Sequence, residues 1–251
     1  MFVLLSVVIA ALCGGYIYHR LHTVQPLDVA MQQALTKVSS ITSYSQVVET
    51  QTRIGNRTLH IVGTYDVDTA QGRYASYSTT TLCIGADPTG HSFTHDDIAL
   101  GHDVYLKIDS ADPLLRSSMQ RVPQWEHFTS DAIPQNLTDI AIAGPIQDNI
   151  AILGHHGDYL SLLHAHGLVQ WGDASLVRYT FTLSRQAASV RDGPLNALIG
   201  RVGPGTIDVW IDPQSFEVRH LLFTNPPYIS TTTISGINTP PSITAPLVPA
   251  P

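Results

Sequence analysis

The amino-acid sequence predicts an α+β domain in which antiparallel strands pack on helices, behind a hydrophobic leading helix. Three observations carry this. An uncharged apolar run opens the chain, an apolar stripe with helical spacing follows it, and the remainder alternates with a period of two between turn residues.

The 251 residues suit one large β-rich domain rather than two small ones. Charged residues make up 13% of the chain, about half the roughly 25% of ordinary soluble domains. The formal charge of -7 is spread along the sequence, and no Lys/Arg cluster suits a phosphate backbone, which argues against nucleic acid as a partner. The two cysteines, Cys13 and Cys83, form no disulfide framework.

Residues 1–20 read as a membrane anchor or signal segment. From Phe2 through Tyr18 no charge intervenes before His19 and Arg20, and a helix of that length is at the short limit for spanning a bilayer. An uncleaved signal anchor is the first reading, giving a single-pass protein of the cytoplasmic membrane with its domain on the extracytoplasmic side. A cleaved secretory signal lacks a basic start and a small-x-small exit. The third reading is lipidation at Cys13, within Cys13-Gly14-Gly15, although Leu12 is a poor residue before a lipidated cysteine. A buried core helix is the bland alternative. His19, Arg20 and His22 favour the opposite orientation under the positive-inside rule, and the extracytoplasmic assignment is made against that small bias.

Residues 21–25 form a linker, and the domain is expected over 26–246, with a flexible tail at 247–251. Pro26 suits a first helical turn. Leu27, Ala30, Met31, Ala34, Leu35, Val38 and Ile41 then recur at three- and four-residue steps, an amphipathic helix with one stripe towards a core. From Tyr44 the period becomes two. Strands are expected over Tyr44 to Arg53, Thr58 to Val67, Arg73 to Ile84 and Asp103 to Asp109, with Leu59, Ile61, Tyr65 and Val67 on one face.

Between Asp112 and Gly172 the pattern breaks, and helices or a lid are expected there. Asp158 would cap a short helix through Leu160 and Leu163 that closes near Gly167. Strands resume at Val177 to Leu183, and Asp192-Gly193-Pro194 opens a short helical stretch. The clearest hairpin is Thr206 to Phe223, turning at Asp212-Pro213-Gln214-Ser215. Placing Ile211 opposite Phe216 would set Asp208 opposite Arg219, a pair worth at most about 1 kcal/mol. A last strand runs from Tyr228 to Ile237.

The opening helix before Ser43-Tyr44, the hairpin Val209-Trp210-Ile211-Asp212-Pro213 and the closing Asn238-Thr239-Pro240-Pro241-Ser242-Ile243-Thr244-Ala245-Pro246 are together similar to the bacterial lipoprotein-carrier superfamily, the LolA/LolB-like and LppX/LprG-like lipid-binding proteins. The resemblance covers most of Leu27 to Pro246. It implies a strongly curved antiparallel half-barrel packed around helices, with an apolar cavity that holds acyl chains in relatives. The chain departs from lipid-anchored relatives in its flawed lipidation motif around Cys13. Leu160, Leu163, Tyr179, Phe181, Ile207, Val209, Ile211, Phe216 and Val218 are the candidate cavity wall, and a solid core made of the same residues is the competing reading.

The function expected is therefore non-enzymatic: a membrane-tethered extracytoplasmic module for an apolar ligand, whether lipid, acyl chain or lipidated partner. The alternative is an envelope structural or protein-interaction domain with a closed core. No nucleophile elbow, phosphate loop or zinc-protease motif occurs, and no cofactor is implied. His155-His156-x-Asp158, His164-x-His166, His91, His95-Asp96-Asp97 and His102-Asp103 lack a metal-ligand register and are read as surface or packing groups, with no metal. Asn56-Arg57-Thr58 and Asn136-Leu137-Thr138 match glycan acceptors and are read as incidental in a prokaryotic envelope protein.

Overall fold

A computed structural model describes residues 31–38, 40–85, 90–113, 115, 122–132, 160–183 and 205–248. A short helix, α1 (residues 31–38), precedes eleven strands: β1 (Ser43–Ile54), β2 (Arg57–Asp68), β3 (Arg73–Ile84), β4 (His91–Leu100), β5 (Asp103–Asp109), β6 (Val122–Thr129), β7 (Leu160–Trp171), β8 (Ala174–Leu183), β9 (Thr206–Ile211), β10 (Val218–Asn225) and β11 (Tyr228–Ser235).

All eleven strands form one open sheet in the order β6-β5-β4-β3-β2-β1-β11-β10-β9-β8-β7. Two antiparallel meanders, β1 to β6 and β7 to β11, are thus joined where β1 pairs with β11, from Ser45 opposite Ser235 to Gln51 opposite Ile229. Tight turns build the meanders. Gly55-Asn56 connects β1 to β2 with Ile54 opposite Arg57, and Gly55 takes φ 63°, a left-handed conformation that a two-residue hairpin demands and glycine alone adopts without cost.

Helix α1 keeps the predicted stripe. Met31, Ala34 and Val38 are buried, Leu35 packs behind them, and Gln32, Gln33 and Thr36 face water. Its last turn tightens through Ser40 N–H to the Lys37 carbonyl (3.0 Å) and Ile41 N–H to Val38 (3.1 Å). Lys37 Nζ then donates to the Ser215 carbonyl (2.8 Å) and approaches Glu217 (3.3 Å), fixing the helix over the β9–β10 turn.

The α+β expectation is overturned: the described chain is nearly all antiparallel sheet with one short helix, and helices do not surround the sheet. The decisive difference lies at Leu160 to Gly167, where β7 replaces the expected helix. A short apolar run reads equally as helix or strand. Here alternation settles it, since His164, His166, Leu168 and Gln170 are exposed while Ala165, Gly167 and Val169 are half-buried. Gly167 is no helix stop; it takes φ 77° at a bulge between Ala165 and Gly167. Strands β4 and β6 also occupy stretches that carried no strand expectation. The helix expected after Asp192 lies outside the described residues.

The β9–β10 register differs from expectation as well. Val218, not Phe216, stands opposite Ile211, and Asp208 stands opposite Leu222. Asp212 causes this. Its carboxylate accepts from Gln214 N–H (2.8 Å) and Ser215 N–H (3.1 Å), and its backbone bonds to Glu217 and Phe216 lengthen the loop to residues 212–217. Phe216, at φ 57°, belongs to that loop.

After β11 the chain crosses to the other face of the sheet. Asn238 donates its N–H to the Ser43 carbonyl (2.8 Å) and accepts from Thr42 N–H through Oδ1 (3.0 Å). Ile243 is then buried against Ala75 and Ile98, flanked by Leu100, Tyr105 and Trp125.

Candidate functional site

Residues directly opposed in an antiparallel ladder share a face, so the register assigns every described side chain to one of two sides. The inner face carries α1. On its β8–β11 half lie Val177, Tyr179, Phe181, Ile207, Val209, Ile211, Val218, Leu221, Phe223 and Ile234, packed with Met31, Ala34 and Val38 into one cluster. Six of the nine candidate wall residues are therefore brought together: Tyr179, Phe181, Ile207, Val209, Ile211 and Val218. Tyr179, Val209 and Ile211 are 0% exposed. Phe216 lies apart in the β9–β10 loop and is half-buried. Leu160 and Leu163 belong to β7, and their side chains lie outside the described residues.

The β1–β5 half of the same face is different in chemistry. One row across the sheet runs Ile234, Gln46, Tyr65, Ser76, Asp97, Leu106, and the next runs Thr232, Val48, Gly63, Ser78, His95, Ile108. Neither contains a lysine or arginine. Gln46, Ser76, His95, Asp97 and Thr232 are all buried. Tyr65 lies over Gly63, where a Cβ would stand 2.8 Å from the tyrosine oxygen; that close approach is why a glycine occupies the middle of β2.

His95 and Asp97 are the unusual pair. They are 7% and 4% exposed, their Nε2 and Oδ1 atoms lie 3.6 Å apart, and neither atom has a hydrogen-bond partner. Gln46 Oε1 is also buried without one. Each unsatisfied buried polar group costs about 1–3 kcal/mol. Burial pushes the Asp97 carboxyl up to about 7, against a hydrogen bond from Ser76 that lowers it. It pushes the His95 imidazole down to about 4. Near neutrality the pair is thus a neutral imidazole beside a partly ionised carboxyl, not an ion pair. The sequence reading grouped His95-Asp96-Asp97 as one set of donors. Strand alternation separates them, and Asp96 lies on the outer face opposite Lys107.

The outer face is aromatic at its β7–β10 end. Trp171 lies against His220 in a tilted ring contact (4.1 Å between centroids) and 5.2 Å from Trp210, over which the Arg178 guanidinium sits at 5.0 Å. Arg178 also donates to Asp208 (2.8 Å), the partner that the sequence had assigned to Arg219. Arg219 reaches Glu217 instead, at 2.8 Å.

The histidines engage local carboxylates: His60 with Glu49 (2.8 Å), His91 with Asp112 (2.5 Å) and His127 with Asp103 (2.7 Å). His164 and His166 stand edge to face with centroids 4.4 Å apart. Among the described residues no three His, Cys, Asp or Glu side chains gather as a metal set. His155, His156, Asp158 and Cys13 lie outside the described residues. A cleft of about 190 Å³ at the end of β4 and β5 is lined by Ser92, Phe93, Thr94, Asp109 and Ser110, below the roughly 300–1,000 Å³ of drug-sized ligand sites.

No protein-family model matches the chain, and no curated protein does. Among solved structures, LprF from Mycobacterium bovis superposes with a TM-score of 0.54 at 13% identity, over 86% of this chain and 95% of that one. The chain has the LprF fold. The lipoprotein LppX from Mycobacterium tuberculosis matches with a TM-score of 0.48 at 15% identity, over 87% of this chain and 99% of that one. The architecture expected from the opening helix, the Val209–Pro213 hairpin and the closing segment agrees with the LprF fold in its antiparallel sheet.

Proposed function

We propose that the domain is a non-enzymatic, extracytoplasmic module that binds an apolar ligand, the acyl chain of a lipid or of a lipidated partner, on the inner face of its sheet. The observation that carries this reading is one continuous inner face, closed by α1 over its apolar half and lined by buried, unpaired polar atoms over the other. The LprF fold supports it by architecture, and the resemblance to lipid carriers supplies the ligand class. Burying acyl methylenes against such a face stabilises a complex by about 0.8 kcal/mol each. Tyr179, Phe181, Ile207, Val209, Ile211 and Val218 form the wall in this proposal.

Residues 1–20 hold the module at the membrane, as a signal anchor or through a lipid on Cys13. No helix among the described residues is long and apolar enough to cross a membrane. The mass of the mature N-terminal peptide separates the two anchors.

Native mass spectrometry of the full chain, released from detergent micelles, tests the function. Lipid that co-purifies, and is displaced by a fluorescent fatty acid, is the expected result. A ligand-free mass together with no fatty-acid uptake supports the closed-core alternative, which the complete burial of Tyr179, Val209 and Ile211 favours.

A further inference from the structure

We infer that His95 and Asp97 form a hydroxyl-recognising subsite, so that the ligand of the inner face is a neutral lipid bearing a free alcohol group. The inference rests on the apolar-ligand reading above and adds the chemistry of the head. Native interiors pair more than nine in ten of their buried polar groups. Here two bare polar atoms sit on one face, two residues apart on β4, one a ring nitrogen and the other a carboxyl oxygen. A third, Gln46 Oε1, lies on the same face in the Asp97 row.

Their geometry selects a small amphoteric group. With Nε2 and Oδ1 3.6 Å apart, one oxygen atom can stand about 2.8 Å from both. A hydroxyl does so in either state of Asp97, accepting from the imidazole N–H and either donating to the carboxylate or accepting from the carboxylic acid. An ether or ester oxygen only accepts, so it serves the imidazole N–H but leaves the ionised form of Asp97 without a donor. A phosphate or carboxylate would face Asp97 without compensation, since neither row of the inner face that holds the pair contains a lysine or arginine. Lys107 stands opposite Asp96 on the outer face, and Arg178 also lies on that side, against Asp208. Leu106 and Ile108, both fully buried, stand opposite Asp97 and His95 on β5 and give the subsite an apolar flank.

The test uses the full chain in detergent and three chain-matched probes delivered from phosphatidylcholine vesicles: a diacylglycerol with one free hydroxyl, a triacylglycerol and a phosphatidic acid. Diacylglycerol is expected to bind at least about tenfold more tightly than the other two, a difference of about 1.4 kcal/mol. The double variant His95→Phe/Asp97→Leu is expected to lose that preference and keep triacylglycerol binding. Its ligand-free form should melt higher than the wild type, whereas removing a structural pair would lower the melting point. A readout free of mutation is the ¹⁵N resonance of His95 Nε2 in the wild type, which should move on adding diacylglycerol and stay put with triacylglycerol. Equal binding of the three probes, as a bridging water would produce, or a silent His95 resonance, overturns the subsite and leaves the apolar-ligand reading standing. Binding of none of the three overturns both.

Discussion

Between about pH 4 and 7 Asp97 holds a proton that an unfolded chain would release. Its carboxyl titrates at about 7 against an ordinary 3.8, chiefly through burial. A carboxyl raised in the folded state contributes most below its unfolded pKa, and that contribution is lost as pH climbs towards 7. His95 works the other way. Its imidazole falls from 6.5 to about 4, so the folded state binds fewer protons between those values and gains stability as pH rises through them. Replacing Asp97 by asparagine isolates the first effect. The stability difference between Asp97→Asn and wild type, from urea unfolding at successive pH values, should grow in favour of the variant by about 1.4 kcal/mol per pH unit between roughly pH 4 and 7. A difference independent of pH would show that Asp97 is an ordinary surface-like carboxylate. Gly63 offers a second residue-scale test. A Cβ there meets the buried Tyr65 ring within 2.8–3.0 Å, so Gly63→Val should destabilise by about 1–3 kcal/mol in the same assay.

At the scale of elements, the β9–β10 hairpin shows how far pattern alone reaches. Alternation placed Ile207, Val209 and Ile211 on the core side, and they are there. Register escaped because it depended on Asp212 lengthening the loop, a side-chain bond to backbone that periodicity does not record. The consequence is measurable. Ile211→Ala should cost about 2–5 kcal/mol, the usual penalty for truncating a buried branched side chain. Phe216→Gly should change stability by less than about 1 kcal/mol, because glycine relieves a left-handed backbone while losing only half-buried packing. Comparable large losses at both sites would restore the original register. Strand β7 was illegible for another reason: Leu160 to Leu163 offers four residues too few to reveal a period, and Gly167 reads as a helix stop until the bulge is seen. The inner polar row was hidden in plain view. His95 and Asp97 are two apart, the spacing that shares a strand face, yet β4 itself carried no strand expectation.

For the whole molecule, the joint between β1 and β11 makes the two meanders one sheet, and the segment after β11 secures that joint from behind. Thr50 Oγ1 and Ser230 Oγ bond across it on the inner face (2.9 Å), while Asn238 ties back to Thr42 and Ser43 at its end. Beyond Asn238 the chain reaches Ala75 and Ile98 on the outer face, so one segment clamps β1, β3 and β4 together. That clamp covers an apolar patch which an open sheet would otherwise present to solvent beside the exposed Val47, Val62 and Tyr77. Ile243 is its anchor. Ile243→Ala should lower stability by about 2–5 kcal/mol and raise binding of a hydrophobic dye in the absence of denaturant, since the outer patch opens before the sheet unfolds. The inner face should not respond: fatty-acid uptake by Ile243→Ala, measured below its melting transition, is expected to match the wild type. Loss of uptake in step with dye binding would mean that the two faces are not independent, and that the closing segment acts on the ligand side through the β1–β11 joint.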